Sequence, residues 1–149
     1  MAASVQALKY RRRRIVADAL GDLLAERYPF TTEAVLVPVP LHVARLRERG
    51  FNQALLLARA LGRRRQLPVL PSALARMRAT RGQPGLGADA RRRNLAGAFT
   101  VVDAAAIRKR DVVLVDDVLT SGATANACAA ALLAAGASRV DVYTAGRAP

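Results

Sequence analysis

Four aliphatic residues in succession, Val112, Val113, Leu114 and Val115, run straight into two adjacent carboxylates, Asp116 and Asp117. Three of those four are β-branched, which suits a strand buried on both faces of a parallel sheet. Val118 and Leu119 lead into Thr120-Ser121-Gly122-Ala123-Thr124, and a helical run follows from Ala123 to Ala135. This order of strand, acids, small polar turn and helix sets N–H groups and hydroxyls at the positive end of a helix, where phosphate binds. Gly122 carries no Cβ and lets an anion approach the backbone. The carboxylates cannot hold that phosphate. Ionised, they accept hydrogen bonds and donate none, so their natural partner is a sugar with vicinal hydroxyls beside the phosphate. A plain structural reading also exists, in which Thr120 or Ser121 simply caps the helix. The two acids and the complete hydroxyl–glycine–hydroxyl turn together favour the ribose-phosphate reading. The turn is neither a Walker A loop nor a Gly-x-Gly-x-x-Gly dinucleotide turn.

The remaining composition narrows the class. A chain of 149 residues suits one domain, 1–149, with a substantial core. Apolar residues make up 52%, yet Trp is absent and aromatics are 4%, so Ala, Leu and Val must build that core. The net charge of +13 comes from 24 basic and 11 acidic residues. Such an excess suggests anionic ligands or partners, phosphates or nucleic acid, and is also what a solvated Arg-rich surface would give. Cys128 is the sole cysteine, which excludes an internal disulfide and a Cys-based zinc site; in an Ala-rich helix it reads as a small buried hydrophobe. The N-terminus has no signal-peptide pattern and no apolar run is long enough to span a bilayer, so the expected location is the cytoplasm.

Strands and helices alternate along the chain. Ile15, Val16, Ala19, Leu20, Leu23 and Leu24 recur at helical spacing, with Asp18, Asp22 and Glu26 on another face, predicting an amphipathic helix over about 12–26. The residues from Ala34 to Val39 form the first expected strand, closed by Pro38 and Pro40. A second helix is expected from Asn52 to Leu61, with Ala54, Leu55, Ala58 and Leu61 inward and Arg63, Arg64 and Arg65 at its end. Weaker strands are expected around 73–77 and 98–102, with a short helix between 89 and 95. Three glycines and Pro84 make 79–87 an expected mobile loop. Gly136 stops the helix after the central turn, and 140–144 is the last strand. The alternation gives an α/β domain, a mostly parallel central sheet flanked by helices.

Three further segments sharpen the reading: Val37-Pro38-Val39-Pro40-Leu41-His42, Arg45-Leu46-Arg47-Glu48-Arg49-Gly50-Phe51-Asn52-Gln53-Ala54, and Gln83-Pro84-Gly85-Leu86 with Arg91, Asn94 and Gly97-Ala98-Phe99 beyond it. Together with the central turn they resemble the ComF family of competence-associated proteins, which have the type I phosphoribosyltransferase fold. The resemblance runs from Lys9-Tyr10 to about Ala145, and Arg-Gly-Phe-Asn-Gln is its most diagnostic part. It implies that Asp116 and Asp117 contact the ribose hydroxyls of phosphoribosyl pyrophosphate. It implies that Thr120, Ser121, Gly122, Ala123 and Thr124 hold the 5′-phosphate. Leu41 and His42 then lie in a loop facing pyrophosphate, and Arg45 and Arg49 are candidates on the same side, since residues four apart share a helical face. Each arginine alone has a plain surface reading, and a neutral structural His42 is favoured over a catalytic one. Asn52 and Gln53 have a capping and bridging reading. Gln83, Leu86, Arg91 and Asn94 fall where related enzymes have a flap over the site.

The resemblance further implies Mg²⁺ held largely through substrate oxygens and water, and either transfer to an unidentified acceptor or a non-catalytic module that binds this ligand and single-stranded DNA during DNA uptake. Many family members carry a cysteine-rich zinc-binding segment ahead of the domain. No such cysteines occur here: either the true start lies upstream, or this is a reduced variant, a domain without the zinc-binding segment.

Overall fold

The computed structural model describes residues 2–30, 33–79, 85 and 87–148. Its centre is a parallel sheet in the order β1-β4-β5, made of β1 (Val35–Pro38), β4 (Asp111–Leu119) and β5 (Arg139–Arg147). The registers run Val35 opposite Val112 and Val112 opposite Val140. Beyond β1, Leu36 makes one more parallel bridge to Val69, with the Leu36 N–H on the Pro68 carbonyl and the Leu70 N–H on the Leu36 carbonyl, both at 2.9 Å. Every residue of β1 is buried, as are Val112 to Val115. A doubly covered strand carries apolar side chains on both faces.

Those two faces have separate cores. Val35, Val37, Val112 and Leu114 pack with Cys128 and Leu132 of α6 (Ala123–Ala134). Ile107 of the short α5 (Ala104–Ile107) closes that side. Leu36, Val113 and Val115 pack with Leu57 and Leu61 of α3 (Gln53–Arg65) and with Leu24 of α1 (Ala2–Glu26). Between β1 and α3 lies α2 (Val43–Arg49), which buries no residue. A second layer covers the α6 side: β2 (Leu74–Arg76) and β3 (Phe99–Val101) pair antiparallel, joined through α4 (Ala88–Leu95).

The first helix begins ten residues earlier than its apolar pattern suggested, at Ala2, because Ala, Gln, Leu and Lys propagate a helix without an apolar stripe. Its inward face also differs. Ile15, Val16 and Leu23 are 61%, 58% and 45% exposed, while Ala17, Leu24 and Ala25 are buried. The reason is the seam with α3. A Cβ on Gly21 would lie 2.3 Å from Ala60 Cβ, so the helices meet backbone to backbone through small residues. Asp18 and Asp22 flank that seam and pair with Arg63 and Arg64, each at 2.5 Å. In α3 the expected Ala54, Ala58 and Leu61 are buried, but Leu57 and Ala60 complete the stripe instead of Leu55, because the helix packs on both the sheet and α1.

Candidate functional site

The site begins where β1 stops. Pro38 pairs with Val115 and the Val39 N–H reaches the Val115 carbonyl at 2.9 Å, after which Pro40 takes the chain away. Strand β4 continues past its neighbour, through both acids to Leu119, paired only with β5: Asp116 opposite Thr144, Leu119 opposite Arg147. The connection from β1 through α3 leads outward to Val69, and the connection from β4 through α6 leads the opposite way to β5. The chain therefore reverses direction between β1 and β4. In open α/β sheets the crevice at the carboxyl end of such a reversal is where ligands bind.

Both acids sit on this projecting segment. The Asp116 carboxylate accepts the Asp117 N–H and the Asp117 carboxylate accepts the Val118 N–H, each at 2.9 Å. Burial, reinforced by the neighbouring Asp117 carboxyl, pushes Asp116 up to about 7. On its inner side lies Cys128, whose thiol is pushed up to about 12 by burial first and by Asp116 second. An acid with this placement is partly protonated at neutral pH, and a cation or hydroxyl donors arriving in the crevice would ionise it.

Beyond Leu119 the chain turns through Thr120 and Ser121, both exposed, into Gly122 at φ 77°. The left-handed conformation is one that glycine adopts without a steric penalty. Gly122 is the N-cap of α6 and has no side chain to offer; Ser121 Oγ accepts the Ala123 N–H at 3.4 Å, and Asn126 N–H closes the first turn on the Gly122 carbonyl at 2.9 Å. Gly122 thus occupies the N-cap position, while Ser121 supplies the side-chain bond to the first helical N–H. Thr124, half-buried, opens the helix. The first-turn N–H groups of a helix have no helical acceptor, and here they face the same end of the sheet as the acids.

The loop after β1 is largely architectural. His42 Nδ1 accepts the Ala44 N–H at 3.2 Å and caps α2. Asn52 caps α3 through the Ala54 N–H and donates to the Val39 carbonyl, both at 3.0 Å. Leu41 is half-buried, and Arg45 and Arg49 are exposed on α2, with Arg49 reaching Gln53 Oε1 at 3.4 Å. Arg76 of β2 is the side chain sequence reading missed. It lies 5.4 Å from the Phe99 ring centroid, and burial, with Arg45 acting in the same direction, draws it below the usual arginine value. It is also close enough to Cys128 to hold the thiol down slightly. Nothing in Leu74-Ala75-Arg76 signals this; only the β2–β3 pairing brings it there. Arg91 and Asn94 are exposed on α4, and Gln83 and Leu86 lie outside the described residues.

A second concavity adjoins the acids. A cleft of about 360 Å³ opens between α1, α3 and the ends of β4 and β5, and Asp117 is part of its wall. Among the described residues no cluster of three His, Cys, Asp or Glu side chains forms a metal cage, and no helix is long and apolar enough to cross a membrane.

No protein-family profile matches the chain. Among curated proteins it is 40% identical over 114 residues to competence protein F of Haemophilus influenzae, covering 76% of this chain and 50% of that protein. It is 36% identical over 146 residues to the DNA utilization protein YhgH of Escherichia coli, covering 93% and 63%. The chain therefore spans less than two thirds of the length of either relative. Among solved structures it is similar to the Bacillus subtilis glutamine phosphoribosylpyrophosphate amidotransferase complexed with ADP and GMP, with a TM-score of 0.60 at 20% identity over 87% of this chain and 26% of that one. A hypoxanthine phosphoribosyl transferase of Trypanosoma cruzi superposes with a TM-score of 0.52 at 14% identity, over 93% and 75%. These two likenesses are likenesses of fold.

Proposed function

Because the chain belongs to the ComF family and has the type I phosphoribosyltransferase fold, we propose that it binds phosphoribosyl pyrophosphate in the crevice between β1 and β4. The observation that carries this reading is the continuity of β4. One strand presents Asp116 and Asp117 beyond the end of its neighbour and then delivers Thr120 to Thr124 onto the start of α6. Ribose hydroxyls on the carboxylates place the 5′-phosphate over the turn, against N–H groups at a helix N-terminus. The pyrophosphate then lies on the β1 side, toward Leu41 and His42. Arg45, Arg49 and Arg76 supply charge-assisted donors there, suited to phosphate oxygens.

The acidic pair also fits Mg²⁺. This ion keeps several waters and uses one or two carboxylates with substrate phosphates, so Asp116 and Asp117 with the ligand's oxygens make a sufficient donor set. When bound, Mg²⁺ supplies charge neutralisation on the pyrophosphate. The chain's own part in transfer is to orient the ribose and to stabilise the departing charge with its arginines. We read residues 1–149 as one domain acting in the cytoplasm, with the segment around Gln83 and Leu86, together with Arg91 and Asn94, as its flap.

Isothermal titration calorimetry with phosphoribosyl pyrophosphate and Mg²⁺ tests the reading. Asp116→Asn combined with Asp117→Asn should retain the far-UV spectrum and weaken binding by at least tenfold. Unchanged affinity in the double variant removes the ribose assignment. Pyrophosphate release with an acceptor base then separates a transferase from a binding module.

A second reading is favoured by the relatives' names, competence protein F and DNA utilization protein. In it the same module binds single-stranded DNA through its arginine excess during DNA uptake, whether or not it turns over.

A further inference from the structure

Strand β5 ends the parallel sheet. Among the described residues it pairs with β4 on one side and with no strand on the other. Nine residues long, it leaves a row of main-chain N–H and C=O groups open to any chain able to pair with them. Natural edges are ordinarily blunted by proline, lysine, an inward charge or a bulge. The register with β4 holds unshifted from Arg139 to Arg147, so no bulge turns this edge aside. Its charges stand toward the ends, at Arg139, Asp141 and Arg147, and Val142-Tyr143-Thr144-Ala145-Gly146 between them carries none.

Both faces of the edge are apolar. On the α6 side Val140 packs against the core, while Val142, next on that face, and Leu133 of α6 remain exposed. On the α1 side Tyr143 and Ala145 pack against the other core. Tyr28 and Phe30 hold the Tyr143 ring edge to face, and its hydroxyl donates to the Leu24 carbonyl at 2.8 Å.

The strand is complementary to itself. In an antiparallel pair about a two-fold axis at Thr144, Asp141 stands opposite Arg147 of the second copy, once at each end. Val142 then meets Gly146 and Tyr143 meets Ala145, a large side chain over a small one each time. Thr144 meets its own copy, a cross-strand pair able to hydrogen-bond. Asp141 is already joined to Arg139 at 2.8 Å, and an arginine from across the seam would engage it from the other side. Moving the axis to Tyr143 sets Arg139 directly against Arg147, like charge on like charge. Moving it to Ala145 takes Asp141 out of the seam.

We propose that β5 is a self-pairing edge, through which two copies of this chain join antiparallel about Thr144 into one continuous sheet. Thr144 lies opposite Asp116 on β4, so the axis passes beside the crevice. With strands about 4.8 Å apart, three spacings separate the two Asp116 positions by about 14 Å. The dimer thus sets two candidate sites side by side, whatever ligand they take.

Sedimentation of the full chain over a wide range of concentration should show a reversible dimer. Asp141→Arg sets two like-charged pairs across the seam, as does Arg147→Asp, and each should weaken dimerisation by at least tenfold. The two substitutions combined rebuild both pairs with their signs reversed and should restore it; far-UV spectra and thermal midpoints serve as the folding control. Thr144→Cys reads the register. Directly opposed Cβ atoms stand about 4.5–5.5 Å apart, close enough for a disulfide after a small shift, so oxidation should trap a covalent dimer. Val142→Cys faces Gly146 and should not cross-link, and the buried Cys128 gives no background. A chain that stays monomeric at every concentration overturns the proposal and leaves the edge to a strand from another protein. A dimer indifferent to both single charge reversals, or one trapped by Val142→Cys in place of Thr144→Cys, overturns it equally.

Discussion

Asp116 is where sequence and environment pull hardest against each other. Its carboxyl is largely buried near Cys128, with Asp117 adjacent, and titrates at about 7 where an unfolded chain has 3.8. The direction of the linkage follows from those two values. Below about pH 4 both states hold the proton. Between about 4 and 7 the unfolded chain has released it and the folded protein has not, so stability falls as pH rises, and it levels off above 7. Asp116→Asn cannot ionise and escapes this loss. Urea unfolding should therefore show the variant gaining on the parent between pH 5 and pH 8, by on the order of 2 kcal/mol, given about 1.36 kcal/mol per pKa unit. A gap of constant size at both pH values would mean that Asp116 is ionised throughout. The strained acid is retained in a position where, on the proposed reading, ligand hydroxyls and Mg²⁺ would relieve it. Its type and place could be read from the sequence. Its titration could not, since that depends on Cys128 and on the sheet burying the carboxyl, contacts made only on folding.

At the scale of elements, the start of α3 shows how the crevice is held open. Asn52 uses both ends of its amide, accepting from the Ala54 N–H and donating to the Val39 carbonyl. It thereby ties the helix to the chain leaving β1. Asn52→Ala removes an N-cap worth about 0.5–2 kcal/mol and leaves a half-buried carbonyl unpaired. Chemical denaturation should show a loss of about 1–2 kcal/mol; a variant as stable as the parent would mean that water replaces both bonds. The capping and bridging role of Asn52 was legible in Arg-Gly-Phe-Asn-Gln, as were β4, α6 and the parallel alternation, because each is written in local pattern. What was not legible depends on tertiary partners. Residues 73–77 and 98–102 have strand character, but nothing in them says that they pair antiparallel with each other, apart from the main sheet. The inward face of α1 was misjudged because the larger residues Ile15, Val16 and Leu23 suggested an apolar stripe, whereas the approach of Gly21 to Ala60 selects small residues instead.

Across the whole molecule the question is where the +13 charge is free to act. Arg63 and Arg64 are paired with Asp18 and Asp22 across the α1–α3 seam, so the 63–65 cluster is weaker as a phosphate surface than its sequence suggests. Arg11, Arg12 and Arg14 on α1 and Arg91 and Arg93 on α4 are exposed. The aromatics are mostly engaged inside. Tyr28, Phe30 and Tyr143 stack edge to face at 5.2–5.7 Å, Phe51 lies under Arg13, and Phe99 faces Arg76. Tyr10, 42% exposed, is the remaining one. A surface with so few free rings cannot hold a strand by successive stacking. Binding of single-stranded DNA should instead come from phosphate contacts, weak and indifferent to sequence. Counterion release then sets the salt dependence, a slope of about −0.7 in log K against log salt for each neutralised phosphate. Anisotropy with labelled dT₁₅ should give a total slope of about −2 to −4, as three to five available arginines imply. Arg11→Ala with Arg12→Ala and Arg14→Ala should flatten it by about 2 units, whereas Arg63→Ala with Arg64→Ala should leave it nearly unchanged. The reverse ranking would place the strand along the α3 end, and an absence of binding at low salt would remove DNA from what this chain does and leave the crevice between β1 and β4 as its functional centre.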